Sequence, residues 1–382
     1  MVKRKILIVI PSLRIGGTTS SLKALMLTSF SKDNDVRILV LSPKGLDKND
    51  ELRKYVIMPK KFIQLWFLNI ADASLLKRLL MLPIKVIKNT PWLGSRIDTI
   101  LAKHIARTTE RDDRYDTVIA FSEQITPGIV QHFNNQNKIA WIHCDYGNRI
   151  KLDEEWIFKN FRKIICVSKF TCESFGKRYP ALKNKTDFIY NICSMCDIKV
   201  KADEEINDIL FDTSEFTIIS IGRIAAVKRF HKIPEIAKKL KDAGCTFKWY
   251  IMGEGCVEDT YKIKAAIENN GMRNEVIMLG ARNNPYPYLK KADLLVSTSE
   301  SEACPMIFNE AKILGTPIVS TDFGSSYEFI KQGIDGHISS IEEIHNIIEV
   351  LIKNNTEYSK LFPIKDMDLL EDSIIAKIND II

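Results

Sequence analysis

The sequence predicts an α/β protein made of two doubly wound parallel sheets. Short apolar runs of strand length recur along the 382 residues, and most are apolar at every position rather than at alternate ones. Such runs are typical of strands buried on both faces of a parallel sheet. Helical patterns lie between several of them, as in βαβ units, and the length suits two domains at ~150 residues per domain.

Ten apolar runs are predicted as strands, five in each half of the chain. In the first half they are Ile6–Ile10, Val36–Leu41, Thr117–Phe121, Ile139–Ile142 and Ile164–Val167. In the second half they are Phe216–Ile221, Phe247–Met252, Val276–Leu279, Leu294–Ser297 and Ile318–Ser320. Polar or glycine residues follow each run, so a turn is expected at the carboxyl end of each strand.

Helix signals and a change in composition divide the chain. Residues 233–243 place apolar side chains on one face and precede Gly244, and Pro305–Leu314 has a proline in its first turn and ends at Gly315,. A polar, acidic stretch begins after residue 198. We therefore predict domains of residues 1–198 and 199–364, with a final helix within 365–382 that packs back on the N-terminal domain.

Composition excludes several classes of protein. Apolar residues make up 45% and charged residues 27%, as in a soluble enzyme and unlike disordered or fibrous chains,. No stretch reaches the ~18–20 charge-free apolar residues of a membrane span, and Met1–Pro11 is predicted as a strand rather than a signal peptide. Among the eight cysteines, Cys193 and Cys196 have CxxC spacing without a second such pair. Reduced thiols in a cytoplasmic protein are favoured over a metal or redox site.

Five predicted strand ends carry glycine, histidine or charged residues, at the edge where open α/β sheets bind ligands. They contain Gly16 and Gly17; His143; Gly222, Arg223 and Lys228; Gly253; and Glu302, which precedes Pro305, Met306, Ile307 and Glu310. Paired glycines and a helix N-terminus admit an anion, and clustered cations suit a diphosphate. Each feature alone also fits a tight turn, a structural histidine or a solvated charge. All five together favour a ligand site.

A nicotinamide cofactor is weakly supported. Gly253 and Gly255 begin a glycine-rich turn, but Glu258 stands where a dinucleotide fingerprint has its third glycine,. A Rossmann-type oxidoreductase is therefore the less favoured alternative.

The set of motifs resembles the retaining GT-B glycosyltransferases of family 4, of the bacterial surface-polysaccharide type. That family has a glycine-arginine strand end with a lysine five residues on, matched by Gly222, Arg223 and Lys228. Its E-x7-E motif is matched by Glu302 to Glu310, and its W-I-H-x-D motif by residues 141–145. Ala303 and Cys304 depart from the common Gly-Phe of the E-x7-E motif. The resemblance implies two Rossmann-like domains facing across a cleft.

The resemblance also implies residue roles. Arg223 and Lys228 would hold the donor diphosphate, Glu302 and His143 would contact the donor sugar, and these four residues form the predicted catalytic set. The predicted donor-binding set is Gly16, Gly17, Gly222, Gly253, Pro305, Met306, Ile307 and Glu310, with Glu310 on the ribose hydroxyls. No cofactor and no metal are expected, because fixed cations can stabilise a leaving phosphate and no DxD pair stands at a strand end.

One region concentrates the positive charge. Between Leu52 and Arg107 there are eleven basic residues and two acids. Residues 60–88 combine these cations with apolar bulk, including Trp66, Phe67 and Leu80, which predicts docking on an anionic membrane surface. The alternative is a set of ordinary helices with a solvated basic face. Nucleic acid is not expected, because no known binding motif is present.

The sequence thus predicts an enzyme that moves a sugar from a nucleotide-sugar donor, UDP-linked by family prior, to a glycan acceptor. The acceptor is expected to be lipid-linked, in surface-polysaccharide synthesis at the inner face of the cell membrane. A non-catalytic GT-B partner subunit is the other alternative. The presence of Arg223, Lys228, Glu302 and Glu310 argues against it.

Overall fold

The computed structural model describes residues 3–14, 16–47, 50–67, 91–123, 125–146, 153–208, 211–354 and 367–382. The chain forms two compact units. Met1–Tyr190 together with Ile374–Ile382 make the N-terminal unit, and Asn191–Ser373 make the C-terminal unit. Each unit has its own parallel sheet and its own apolar core. The predicted fold class of two parallel-sheet domains is confirmed.

The N-terminal unit is built on a seven-stranded sheet. Its strands are β1 (Lys5–Ile10), β2 (Asp35–Val40), β3 (Val56–Ile57), β4 (Thr117–Ala120), β5 (Lys138–Ile142), β6 (Lys163–Cys166) and β7 (Thr186–Phe188). Their order is β3-β2-β1-β4-β5-β6-β7, with every pair parallel. All of Ile6–Ile10 is buried, so β1 is covered on both faces, as its continuous apolar run predicts,.

The helices of the N-terminal unit connect these strands. They are α1 (Gly17–Leu27), α2 (Ser29–Asp33), α3 (Asp50–Arg53), α4 (Lys61–Phe67), α5 (Pro91–Asp112), α6 (Ile125–Val130), α7 (Glu155–Phe158) and α8 (Lys169–Arg178). Helix α8 starts in a capping box, in which the Ser168 side chain accepts from the Thr171 N–H and the Ser168 N–H donates to the Thr171 side chain. This satisfies N–H groups that a helix start leaves without an intrahelical acceptor.

The C-terminal unit has a six-stranded parallel sheet in the order β10-β9-β8-β11-β12-β13. The strands are β8 (Phe216–Ile221), β9 (Phe247–Met252), β10 (Val276–Gly280), β11 (Leu294–Ser297), β12 (Ile318–Thr321) and β13 (His337–Ser339). The helices are α9 (Met195–Ala202), α10 (Ile233–Asp242), α11 (Val257–Asn269), α12 (Tyr286–Lys291), α13 (Met306–Leu314), α14 (Ser326–Phe329), α15 (Ile344–Lys353) and the final α16 (Met367–Ile381).

Both predicted helices of this unit are confirmed. Helix α10 buries the residues at 233, 236, 237 and 240, which form its predicted apolar face. Helix α13 begins one residue later than predicted, because Pro305 stands at its N-cap in an extended conformation. Gly315 ends it with φ of 76°, a left-handed conformation that glycine adopts without strain,.

Three of the thirteen strands in the described part of the chain, β3, β7 and β13, were not predicted. All three lie at sheet edges and have two or three residues. Edge strands bury one flank only and are kept short, so they lack the continuous apolar run of a central strand.

The predicted boundary after residue 198 is wrong in position. It falls inside α9, where Met195 and Ile198 pack against Ile313 of α13. The two units divide after Tyr190 because α9 belongs to the core of the C-terminal unit. The last part of α16, from Ile374 onward, belongs to the N-terminal unit. Across the ranges given above, no helix is long and apolar enough to cross a membrane.

Candidate active site

Three neighbouring strands carry the motif residues of the C-terminal unit. Strand β8 lies between β9 and β11 in the sheet, and all three run parallel. Gly222 follows β8, Gly253 follows β9, and the segment leading to Glu302 follows β11. Since carboxyl ends of parallel strands meet at one edge, these residues collect there, as predicted.

Glycines let the chain segments after β8 and β9 stay paired. The Gly222 N–H donates to the Met252 carbonyl at 3.0 Å, and the Ile224 N–H donates to the Glu254 carbonyl at 2.8 Å. A Cβ atom at Gly253 would lie 1.8 Å from the Gly222 carbonyl oxygen. Only glycine fits this approach, so the residue has a packing reason beside its predicted role in donor binding.

Lys228 and Glu302 form the charged centre of this edge. The Lys228 ammonium donates to Oε1 of Glu302, and the two side chains are 20% and 16% exposed. The Ser299 hydroxyl donates to the same oxygen at 2.7 Å. Gly222 lies beneath the lysine, since a Cβ there would stand 3.6 Å from Lys228 Nζ. The ammonium is thus held in place between the ends of β8 and β11.

The other two cations of this loop differ in their surroundings. Arg229 adopts a left-handed conformation with φ of 50°. Its guanidinium donates to the carbonyls of Thr298 at 2.8 Å and Ser299 at 3.0 Å, which fastens the β8 loop to the β11 loop. Arg223, by contrast, is exposed to solvent. Arg229 is therefore structural, while Arg223 is accessible to an anion.

Helix α13 brings a helix N-terminus and a buried carboxylate to the same segment. Pro305 is the N-cap, so Met306 and Ile307 carry N–H groups that have no intrahelical acceptor,. Glu310 is 8% exposed, and the Tyr286 hydroxyl donates to its Oε1 at 3.4 Å. Burial raises the pKa of Glu310 to about 7, against the lowering effect of the Tyr286 hydrogen bond.

Two buried thiols of the C-terminal unit, Cys193 near this carboxylate and Cys304 before α13, stay protonated. Burial raises the pKa of Cys193 well above its ordinary value, with Glu310 contributing, and raises the pKa of Cys304 to about 12. Cys196, the other member of the CxxC pair, is exposed. The described residues contain no group of three or more His, Cys, Asp and Glu side chains that could hold a metal ion.

In the N-terminal unit, the predicted glycine loop begins a helix. Gly16 is the N-cap of α1 and Gly17 its first residue. A Cβ atom at Gly16 would meet nothing within 4 Å, so the space at this helix start is open. The loop before it is held by the Leu13 N–H, which donates to the Lys44 carbonyl at 3.1 Å. Neighbouring Gly45, with φ of 80°, allows this approach, since its Cβ would lie 2.1 Å from the Leu13 carbonyl oxygen.

His143 stands directly after β5. Its ring packs on Phe121 with centroids 4.6 Å apart, and neither ring nitrogen has a hydrogen-bond partner among the described residues. Burial lowers the pKa of the imidazole to about 3, so the ring is neutral at physiological pH. The backbone N–H of His143 donates to Oε1 of Glu123. A neutral imidazole can both donate and accept a hydrogen bond.

Sequence reasoning missed Ser299, Tyr286 and Glu123. Ser299 stands three residues before Glu302, within the strand-end segment already singled out, and proximity alone could have flagged it. Tyr286 opens the short helix α12, far in sequence from Glu310. Glu123 follows β4, another strand end of the N-terminal sheet, and that position was the available signal.

The structure corrects part of the predicted membrane segment. Trp66 is 6% exposed, and its indole N–H donates to Asp98 of α5 at 2.6 Å. Phe67 packs against the core of the N-terminal unit. Neither side chain is available to insert in a bilayer, because both are used in packing. Lys60 and Lys61 are exposed. Leu80, with all of residues 68–90, lies outside the described residues.

Comparisons with known proteins agree with this architecture. Residues 201–361 match the family described as Glycosyl transferases group 1. An uncharacterized glycosyltransferase of Methanocaldococcus jannaschii is 24% identical over 64% of this chain and 62% of its own length. The 4-alpha-N-acetylgalactosaminyltransferase of Campylobacter jejuni that acts on a diphospho-undecaprenol-linked glycan is 24% identical over 55% of this chain and 52% of its own length. The chain thus spans less than two thirds of these relatives.

Solved structures show the same fold over the whole chain. TarM superposes with a TM-score of 0.70 at 17% identity, covering 100% of this chain and 99% of that one. HepE of Anabaena, in complex with UDP and glucose, superposes with a TM-score of 0.70 at 15% identity, covering 99% and 100%. The fold is therefore GT-B. The resemblance to GT-B glycosyltransferases is confirmed, and residues 201–361 are similar to the group 1 glycosyltransferases. Retention and membership of family 4 stay predictions.

Proposed function

We propose that this protein is a retaining glycosyltransferase that moves a sugar from a UDP-sugar to a glycan acceptor in surface-polysaccharide synthesis. The main observation is the ion pair between the Lys228 ammonium and Glu302 at the carboxyl ends of β8 and β11. Glu302 stands three residues before Pro305, the N-cap of α13. A fixed cation and free helix N–H groups suit the charge that develops on a leaving diphosphate.

The remaining residues fit the steps of such a transfer. Arg223 is exposed beside Gly222 and would bind the diphosphate with Lys228. Buried Glu310 would accept from the ribose hydroxyls through its carboxylate, which Tyr286 already orients. Neutral His143 would contact a hydroxyl of the donor sugar. No residue is assigned as a protein nucleophile, so retention would follow from attack on the face that the leaving phosphate occupies.

A screen of the purified protein against nucleotide sugars tests the proposal. We expect one donor to release its nucleotide, faster with acceptor, and the product to keep the donor's anomeric configuration by NMR. Release of no nucleotide from any donor would contradict the activity. An inverted product would contradict retention alone.

Metal independence is a separate part of the proposal. It is supported by Lys228 and Arg223, whose positive charges would neutralise the leaving diphosphate in place of a metal ion. We expect excess EDTA to leave turnover unchanged, because Lys228 and Arg223 supply the positive charge. Loss of turnover with EDTA, followed by recovery with Mg²⁺ or Mn²⁺, would show that protein cations do not suffice.

A lipid-linked acceptor and a place at the inner face of the cell membrane complete the proposal. The name of the Campylobacter jejuni relative gives that protein a diphospho-undecaprenol-linked acceptor. In this chain, α5 supports docking on an anionic bilayer. Its exposed residues 96, 100, 103, 107 and 111 recur at helical spacing and form one stripe,. Four of them are cations, and the fifth, Ile100, is 63% exposed.

The three acidic residues of α5 already have hydrogen-bond or ion-pair partners, and one of these partners, Arg111, belongs to the stripe. Asp98 accepts from Trp66, Glu110 accepts from Asn134 at 2.7 and 3.1 Å, and Asp112 pairs with Arg111. Lys103 and Arg107 make no ion pair with any residue that the structure describes. Each such cation near an anionic bilayer contributes ~1 kcal/mol of binding, screened by salt.

Vesicle flotation with phosphatidylserine-containing liposomes tests the docking. We expect Lys103→Glu with Arg107→Glu to lower the bound fraction several-fold at low salt. The control, Lys238→Glu with Lys264→Glu, changes the net charge equally on exposed lysines of α10 and α11 in the C-terminal unit. Equal losses in both variants would mean that net charge alone matters. An absence of wild-type binding would remove the membrane from the proposal.

A further inference from the structure

The chain segment after β5 is tied down by a carboxylate that has no part in the proposed transfer. Oε1 of Glu123 accepts the backbone N–H of His143, and the Cys144 thiol hydrogen-bonds to the same carboxylate. The Ser122 hydroxyl lies 3.3 Å from Oε2. Burial raises the pKa of Glu123, and these hydrogen bonds oppose the increase. A carboxylate accepts several donors at once and donates none, which suits this position.

The next two residues are fastened by separate contacts. The Ser174 hydroxyl donates to Oδ1 of buried Asp145 at 2.6 Å. The hydroxyl of Tyr146, itself fully buried, donates to Glu154. Each residue from His143 to Tyr146 therefore has its own polar attachment to the N-terminal unit. Of these attachments, Glu123 is the one that acts at His143.

The ring of His143 has a packing contact but no hydrogen bond among the described residues. Phe121 packs on the ring, and neither ring nitrogen is anchored by another described residue. Phe121 and Glu123 both belong to the short segment that follows β4. That segment therefore contacts His143 twice, through the ring and through the backbone.

We propose that Glu123 is a positioning residue that places the His143 imidazole for its contact with the donor sugar. The inference rests on the proposed function, since it concerns the same site. Without the carboxylate, the His143 N–H loses its acceptor and the strand end is free to shift. A misplacement of ~1 Å in a reacting site can reduce turnover ~10²-fold.

A double-mutant cycle tests the coupling. We expect Glu123→Ala and His143→Ala each to lower kcat by ~10–100-fold, with the double variant no slower than His143→Ala alone. Glu123→Gln keeps an oxygen for the His143 N–H and should recover most of kcat. Ser174→Ala is the matched control, because it removes one hydrogen bond to the neighbouring Asp145 and should leave kcat within ~3-fold of wild type,. Multiplicative losses in the double variant, or an equal loss in Ser174→Ala, would overturn the inference.

NMR of the histidine ring gives a readout that does not require turnover. The ordinary histidine pKa is 6.5, and burial lowers that of His143 to about 3. The His143 ring signal is assigned from its absence in His143→Gln. We expect its chemical shift not to change between about pH 5 and 8 in wild type and in Glu123→Gln. In Glu123→Ala it should titrate, because the ring becomes solvated.

The two readouts separate the possible failures. A His143 ring signal that does not titrate in Glu123→Ala would refute positioning by Glu123, regardless of the measured turnover. If the ring titrates in Glu123→Ala but His143→Ala has wild-type kcat, Glu123 positions the ring, and the contact of the ring with the donor sugar is refuted. If no nucleotide sugar reacts at all, the proposed function fails, and the NMR result alone decides whether Glu123 positions the ring.

Discussion

The two units share the parallel α/β fold but carry different residues at the carboxyl ends of their strands. In the C-terminal unit the strand ends carry opposite charges that are already paired, Lys228 with Glu302. In the N-terminal unit the corresponding edge presents the uncharged ring of His143, whose nitrogens face no partner in the described ranges. Under the proposed function, Lys228 of the C-terminal unit would supply the positive charge that diphosphate release requires, and His143 of the N-terminal unit would supply a neutral hydrogen-bonding group.

Removal of the positive charge at Lys228 or Arg223 is expected to have the largest effect on activity. We expect Lys228→Ala and Arg223→Ala each to lower kcat by ~10²–10³, the scale of losing one preorganised charge-stabilising group. Steady-state turnover with the preferred nucleotide sugar measures the effect. Near-wild-type turnover in both variants would show that the diphosphate is not bound there.

Stability distinguishes the two cations and serves as the control. Lys228→Ala leaves the mostly buried Glu302 without its ion-pair partner, so its melting temperature should fall, and adding Glu302→Gln should restore part of that loss,. Arg223 is exposed, so its removal should leave the melting temperature unchanged. A recovery of turnover together with stability in the Lys228→Ala/Glu302→Gln variant would mean that the lysine is only structural.

The glycines provide a second contrast between the units. We expect Gly253→Ala to destabilise the protein by about 1–3 kcal/mol, because its Cβ would overlap the Gly222 carbonyl oxygen,. Gly16→Ala should leave the free energy of unfolding within about 0.5 kcal/mol of wild type, since its Cβ enters open space,. Thermal or urea unfolding of the two variants measures both effects. Equal destabilisation would show that the loop at Gly16 is more tightly packed than its open surroundings indicate.

Sequence patterns predicted the central strands better than the edges, for a physical reason. Strands such as β1 and β8 are covered on both faces and must be apolar throughout, so composition reveals them,. Strands β3, β7 and β13 lie at sheet edges and have only two or three residues, and an apolar run of that length is not distinctive in a sequence. The domain boundary was misplaced because the polar stretch that begins at residue 199 starts inside α9, whose Met195 and Ile198 pack on Ile313.

The candidate site divides in the same manner. Residues adjacent to strand ends, such as Gly222, Lys228 and Glu302, were predicted because the topology of a parallel sheet brings them together. The partners that orient them were not. Tyr286 reaches Glu310 from a different helix, and Trp66 proved to be a core residue because Asp98, 32 positions away, accepts its indole N–H. Such pairings depend on three-dimensional packing and leave no local spacing in the sequence.

The two units should also differ in how their stability depends on pH, because burial raises the pKa of Glu310 and lowers the pKa of His143. The pKa of Glu310 rises from 4.5 to about 7, so the folded state holds a proton that the unfolded state has lost. Its stabilising contribution is fully present below pH 4.5 and is lost as pH rises through 7,. The pKa of His143 falls from 6.5 to about 3. Its contribution is present above pH 6.5 and is lost as pH falls toward 3,.

Isosteric variants should therefore show opposite trends. Relative to wild type, Glu310→Gln should become progressively more stable as the pH rises from about 5 to 8, because the amide cannot ionise. His143→Gln should gain stability relative to wild type as the pH falls from about 7 to 5, because wild type loses its contribution over that range. Urea-unfolding midpoints at several pH values measure both trends, and Ser174→Ala, which removes no ionisable group, should follow wild type at a constant offset. A constant offset for Glu310→Gln would mean that its carboxylate ionises normally in the folded protein. The proposed ribose contact would then be made by a fully charged group at every physiological pH.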